Sequence, residues 1–173
     1  PTHLLDMAVR ALERDPNGVE ELTTAGWGFT WGGMPELALA IFDHVLKLDP
    51  RNEGVAWYRV FTLNWAGRPA TCIAAGAAYI RAFGEDQEAY TWMGESAFEL
   101  GRREEATLYF RRAVELVPRT DVHYAVYMLA RIYRELGDLQ SLREVAEPEI
   151  ERELQALEAA PDNFRVLFQL QQL

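Results

Sequence analysis

Residues 19–52 read VEELTTAGWGFTWGGMPELALAIFDHVLKLDPRN, and residues 87–120 read QEAYTWMGESAFELGRREEATLYFRRAVELVPRT. The two stretches agree at Gly33 and Gly101, at Ala38 and Ala106, at Phe42 and Phe110, and at Pro50 and Pro118. The same phase extends outward at an interval of 34 residues: Pro16 precedes Pro50, and Gly84 fills the slot between Pro50 and Pro118. Gly67 falls midway between Gly33 and Gly101, and Gly137 follows two residues late. A fixed period of this length denotes one helix–turn–helix unit repeated, each unit too small to bury its apolar face without a neighbour. A stack of such units is a surface for holding something.

Composition narrows the class. A chain of 173 residues is long enough for one compact domain or one short solenoid with a sizeable core. No run approaches the roughly 18 apolar residues that span a bilayer. The net charge of −10 disfavours nucleic acid and anionic membrane as partners. Cys72 is the only cysteine, which excludes an intramolecular disulfide and argues against a thiolate metal cluster. The first residues, Pro1-Thr2-His3-Leu4-Leu5-Asp6, lack the basic start and apolar core of a signal peptide. The default expectation is a cytoplasmic protein, although a leader already removed would leave no trace.

Ala, Leu, Arg and Glu dominate and alternating Val/Ile/Thr runs are missing, so every long segment reads as helix. The expected organisation is a single domain over 1–173. It opens with a half repeat or cap at 1–17, followed by repeats at 19–52, 53–86 and 87–120. An irregular fourth repeat at 121–160 has a long second helix, which Pro148 should kink or split. A capping helix at 161–173 closes the chain. In the first two repeats Pro35 and Pro69 open the second helix, where the missing N–H costs nothing.

These residues resemble the tetratricopeptide repeat, which wants a small residue at position 8, an aromatic at 11, a turn residue at 15, Ala at 20, a large group at 24 and Pro at 32. Gly26, Phe29, Gly33, Ala38, Phe42 and Pro50 fill those slots in the first repeat. Gly94, Gly101, Ala106, Phe110 and Pro118 fill them in the third, with Ala97 in the aromatic slot. The second repeat departs, with Val60, Asn64, Cys72, Gly76 and Gly84 at positions 8, 11 (one residue on), 20, 24 and 32. Its second helix is small-sided, so a bulky neighbour is expected against Gly76. The resemblance implies an all-α, right-handed α-solenoid of antiparallel helix pairs that binds protein segments in its concave groove.

In that family the first helix of each pair builds the groove. Laying the positions out places Trp27, Trp31, Trp57, Tyr58, Phe61, Asn64, Trp65, Trp92, Glu95, Phe98, Glu99, Tyr127 and Arg131 on the wall, with Thr30, Thr91, Tyr124, Met128 and Arg134 among their neighbours. Ten of the 24 wall positions are aromatic and they include all five Trp, against about three expected from the 12% aromatic share. Trp and Tyr are favoured residues of binding hot spots. The acids Glu20, Glu88, Glu95, Glu99 and Glu135 outnumber Arg131 and Arg134, which suits a peptide with apolar or proline anchors and a basic flank. The clamp of Lys and Asn by which some family members grip a C-terminal carboxylate does not fit, because Thr23, Trp27, Trp57, Phe61 and Thr91 stand at its positions.

Sharper chemistry finds little support. His3, His44 and His123 form no helical pair, so no metal site is expected, and Cys72 on a buried slot reads as an inert thiol. No nucleophile or oxyanion donor accompanies Glu95 and Glu99, so an enzyme is not expected, nor is any cofactor. The expected function is a non-catalytic scaffold with a protein or peptide partner. The competing reading is a homo-oligomer whose groove is filled by the chain's own tail through Phe164, Leu167, Phe168 and Leu170.

Overall fold

Glycine and proline set the helix boundaries. In a computed structural model, which describes residues 2–116 and 123–159, helices α1 (Thr2–Arg14), α2 (Val19–Trp31), α3 (Pro35–Leu48), α4 (Glu53–Trp65) and α5 (Pro69–Phe83) follow one another. They continue as α6 (Gln87–Glu99), α7 (Arg103–Leu116), α8 (His123–Leu136) and α9 (Leu139–Ala159), with no strand among the described residues. Gly33, Gly67, Gly101 and Gly137 adopt φ values of 80°, 64°, 75° and 71°, a left-handed conformation that a side chain would oppose. Beyond each glycine the chain turns back by the same bond. The N–H groups of Met34, Arg68, Arg102 and Asp138 donate to the carbonyls of Phe29, Leu63, Ala97 and Tyr133 at 2.8, 3.0, 2.9 and 2.9 Å. This is the six-to-one closure that satisfies orphan carbonyls at a helix end. Starts are equally local: Asn52 and Asp86 cap α4 and α6 by accepting from the N–H groups of Val55 and Ala89 at 3.1 and 2.8 Å.

Neighbouring helices pack in order along the chain, giving an all-α helical-repeat solenoid. Inside a repeat, the large residue of the second helix lies on the small residue of the first. A Cβ added to Gly26 would run into the Phe42 ring, and one added to Gly94 would come within 2.8 Å of Phe110 Cε1. Both phenylalanines are fully buried. The second repeat inverts the sizes. Val60 is on the first helix and Gly76 on the second, and the remaining space is filled from the next repeat by Met93, whose sulfur lies 2.6 Å from where a Gly76 Cβ would be. Met93 is therefore the bulky neighbour that the small-sided helix called for, and a flexible thioether suits an irregular gap.

Of the kink or split expected at Pro148, the split does not occur: α9 runs through it as one element of 21 residues. Proline removes one internal donor, while α9 keeps packing on α8 through Leu142, Val145 and Ala146. Pro118, the terminator Pro161-Asp162-Asn163, the capping helix at 161–173 and the tail residues Phe164, Leu167, Phe168 and Leu170 lie outside the described residues.

Candidate functional site

The first helices α2, α4 and α6 stand side by side, and their outward faces carry aromatic side chains at spacings of three and four residues, which share a helix face. The rings meet across the helices. Trp31 of α2 lies 5.2 Å from Phe61 and 5.6 Å from Trp65 of α4. Trp92 of α6 lies 4.8 Å from Trp57 and 5.2 Å from Phe61. Trp27 joins edge-on to Trp31 at 6.4 Å. Phe61 is the hub of this six-ring cluster, touching Trp31, Trp57, Trp65 and Trp92. Trp31 and Trp65 remain 44% and 55% exposed, whereas Trp27, Trp57, Phe61 and Trp92 are half-buried. The inner rings thus form a floor and the two exposed tryptophans an open face.

Polar groups border the rings on the α6 side. The Asn64 amide donates to the Trp92 carbonyl at 3.4 Å, and it also hydrogen-bonds the Glu95 carboxylate together with the Tyr124 hydroxyl. Burial raises the pKa of Glu95, Glu99 raises it further, and the two hydrogen bonds oppose the shift. Next along the wall, Phe98 carries two guanidinium groups, Arg103 at 3.8 Å and Arg131 at 4.8 Å from the ring centre. Both arginines also pair with Glu135, at 3.3 and 3.2 Å. Arg103, in addition, donates to the Phe98 carbonyl at 2.7 Å. Sequence reasoning missed Arg103, which opens the second helix of its repeat and reaches back over the turn. Its place two residues after Gly101 was the available signal.

The structure distributes the expected wall residues unevenly. Trp27, Trp31, Trp57, Phe61, Trp65 and Trp92 come together, with Asn64 and Glu95 beside them. Tyr58 packs edge-on to Trp57 at 5.1 Å but also stacks on the buried Phe42 at 6.1 Å, so it joins the wall to the core. Tyr127 lies further along, half-buried on the core of α6–α8. Glu99 is exposed, and Arg131 pairs with Glu135 rather than with Glu95 or Glu99. Three expected wall positions are instead buried: Thr30, Thr91 and Met128. Adjacent first helices close over Thr30, whose hydroxyl meets that of Thr62 at 3.0 Å. Thr91 turns its hydroxyl to the Gln87 carbonyl at 2.9 Å, and Met128 packs among Ala97, Phe110 and Leu129. Burial pushes the Cys72 thiol up to about 11, which suits an inert core group. No cluster able to hold a metal ion occurs among the described residues.

Residues 87–120 match the family described as the tetratricopeptide repeat. The chain thus carries a tetratricopeptide repeat at 87–120 within its helical-repeat solenoid. Solved structures of the same fold agree. MamA is 18% identical over 84% of this chain and 86% of its own, with a TM-score of 0.71. TTC0263, a thermophilic tetratricopeptide-repeat protein of Thermus thermophilus, is 19% identical over 96% and 86%, with a TM-score of 0.68. The first tetratricopeptide-repeat domain of human RPAP3 is 21% identical over 71% and 95%, with a TM-score of 0.62. No curated protein matches the chain. Tetratricopeptide-repeat proteins are generally non-catalytic scaffolds for protein–protein contacts. No helix among the described residues is long and apolar enough to cross a membrane.

In this helical-repeat chain the Glu95 carboxylate opposes folding at neutral pH. Its folded pKa is raised, so its contribution is favourable when protonated and is lost as pH rises through the folded value. The groups facing it are Glu99 on α6, Tyr124 on α8 and Asn64 on α4, none of them a cation. Glu95→Gln is therefore expected to raise the melting temperature at pH 7, with a gain that shrinks as pH falls below the raised pKa. Parallel melting curves across that range would decide, and a lower melting temperature for the variant at pH 7 would contradict the reading.

Proposed function

We propose that this scaffold binds a segment of a protein partner, extended or helical, along the aromatic wall of α2, α4 and α6. The observation that carries the reading is the exposure of Trp31 and Trp65, at 44% and 55%, over a floor of four half-buried rings. Large apolar groups grouped in the open are unusual on a protein that acts alone, and tryptophan over a desolvated floor is the usual make-up of a binding hot spot. The half-buried Trp57, which packs against the central core, serves the fold as well as the wall.

The experiment uses Trp31→Ala combined with Trp65→Ala, because these side chains are the exposed ones. Peptides selected from a displayed random library against the wild-type chain provide the ligands. Each tryptophan is expected to contribute about 2 kcal/mol to their binding, so the double variant weakens it by more than about a hundredfold. Circular dichroism should show helicity near that of the wild type. Unchanged affinity in a folded double variant would overturn the groove.

A further inference from the structure

We infer that the groove selects a segment bearing an arginine or lysine, placed over the rings around Trp92 with its charge at Glu95 and Glu99; this rests on the groove reading above. Trp92, Glu95 and Glu99 follow one another at three and four residues along α6 and so share a face. The wall treats its own cations in two different ways. At Phe98 the ring already carries Arg103 and Arg131, and the acid beside them, Glu135, is paired with both. Around Trp92 neither condition holds. Among the described residues no guanidinium lies over any of the six clustered rings, since the cation–ring contacts fall on Phe98 and Tyr133.

The carboxylates there are equally uncompensated. The partners of Glu95 are the neutral Tyr124 hydroxyl and Asn64 amide. Neither Glu95 nor Glu99 joins an ion pair among the described residues, and the arginines nearest along the wall are engaged by Glu135. A guanidinium or ammonium group from outside would meet a ring face and a carboxylate together, as Arg131 does with Phe98 and Glu135. Tryptophan is the strongest ring for such a contact, and a partly desolvated carboxylate strengthens the bond it accepts. The net charge of −10 adds a long-range attraction for a basic segment and a repulsion for an acidic one.

The test selects peptides from a displayed random library on the wild-type chain. The strongest binder is then synthesised with its arginine, and again with the neutral isostere citrulline. Selected sequences should be enriched in arginine or lysine beside apolar residues. Citrulline should weaken binding to the wild type by about tenfold, and to the Glu95→Gln, Glu99→Gln double variant by less than about twofold. Loss of the citrulline effect in the double variant is the signature that a merely structural role for Glu95 would not produce. Binders without a basic residue, or an equal citrulline effect in both proteins, would overturn the inference. If such binders still depend on Trp31 and Trp65, the groove itself stands. Binding indifferent to Trp31→Ala with Trp65→Ala, or no selected binder at all, would overturn both.

Discussion

Phe110→Ala is expected to lower folding stability by about 3–5 kcal/mol. The ring has no exposed surface and lies directly on Gly94, which has no side chain to fill the space left by its removal. It also touches the cluster of Ala97, Ala106, Ala113, Ala125, Met128 and Leu129, so its loss loosens both the third repeat and its contact with the fourth. For a chain of this size the melting temperature should fall by roughly 6–20 °C. Urea unfolding followed by circular dichroism measures the change directly. A loss below about 1 kcal/mol would show that the ring is not the third repeat's main filler.

The second large effect runs against the family's own preference. Placing the customary large residue in the second repeat, as Gly76→Phe, should destabilise the protein by about 3 kcal/mol or more. Removing a mid-helix glycine by itself would favour folding by only about 1 kcal/mol. A Cβ at this position would already lie 2.6 Å from the Met93 sulfur and 2.7 Å from its Cγ, and Val60 closes the other side. Met93 and Val60 are both buried, so neither can swing into solvent without opening the core. The same change made together with Val60→Gly and Met93→Ala reproduces the size pattern of the neighbouring repeats. It should recover a large part of the loss, and a mutant cycle on denaturant midpoints would read that coupling. Strict additivity would mean that these residues do not share one space.

Residue by residue, the fold was legible because its punctuation is local. Gly33, Gly67 and Gly101 mark turns through a backbone conformation that depends on no distant contact, and Pro35 and Pro69 open helices for reasons intrinsic to proline. At Pro148 the sequence left a kink or a split open, and packing of α9 on α8 outweighs one lost donor, so the helix is not split. The candidate wall was half legible. A position on a helix face says which way a residue points, but whether it is covered depends on how close the next first helix comes. Thr30 faces the seam with Thr62 and is buried, and Thr91 is buried too, while Trp31 and Trp65 stay exposed.

By itself, the 34-residue period determined the helix pairs and their register, and it gathered all five tryptophans onto the first helices. Those are consequences of local conformation and spacing. The tertiary structure decided the rest. It turned six rings from three helices into one cluster around Phe61, let Met93 complete the second repeat from the third, and left Glu95 with neutral partners while Glu135 received the arginines. Each of those outcomes depends on atoms that meet from different repeats, and no spacing within one repeat specifies them.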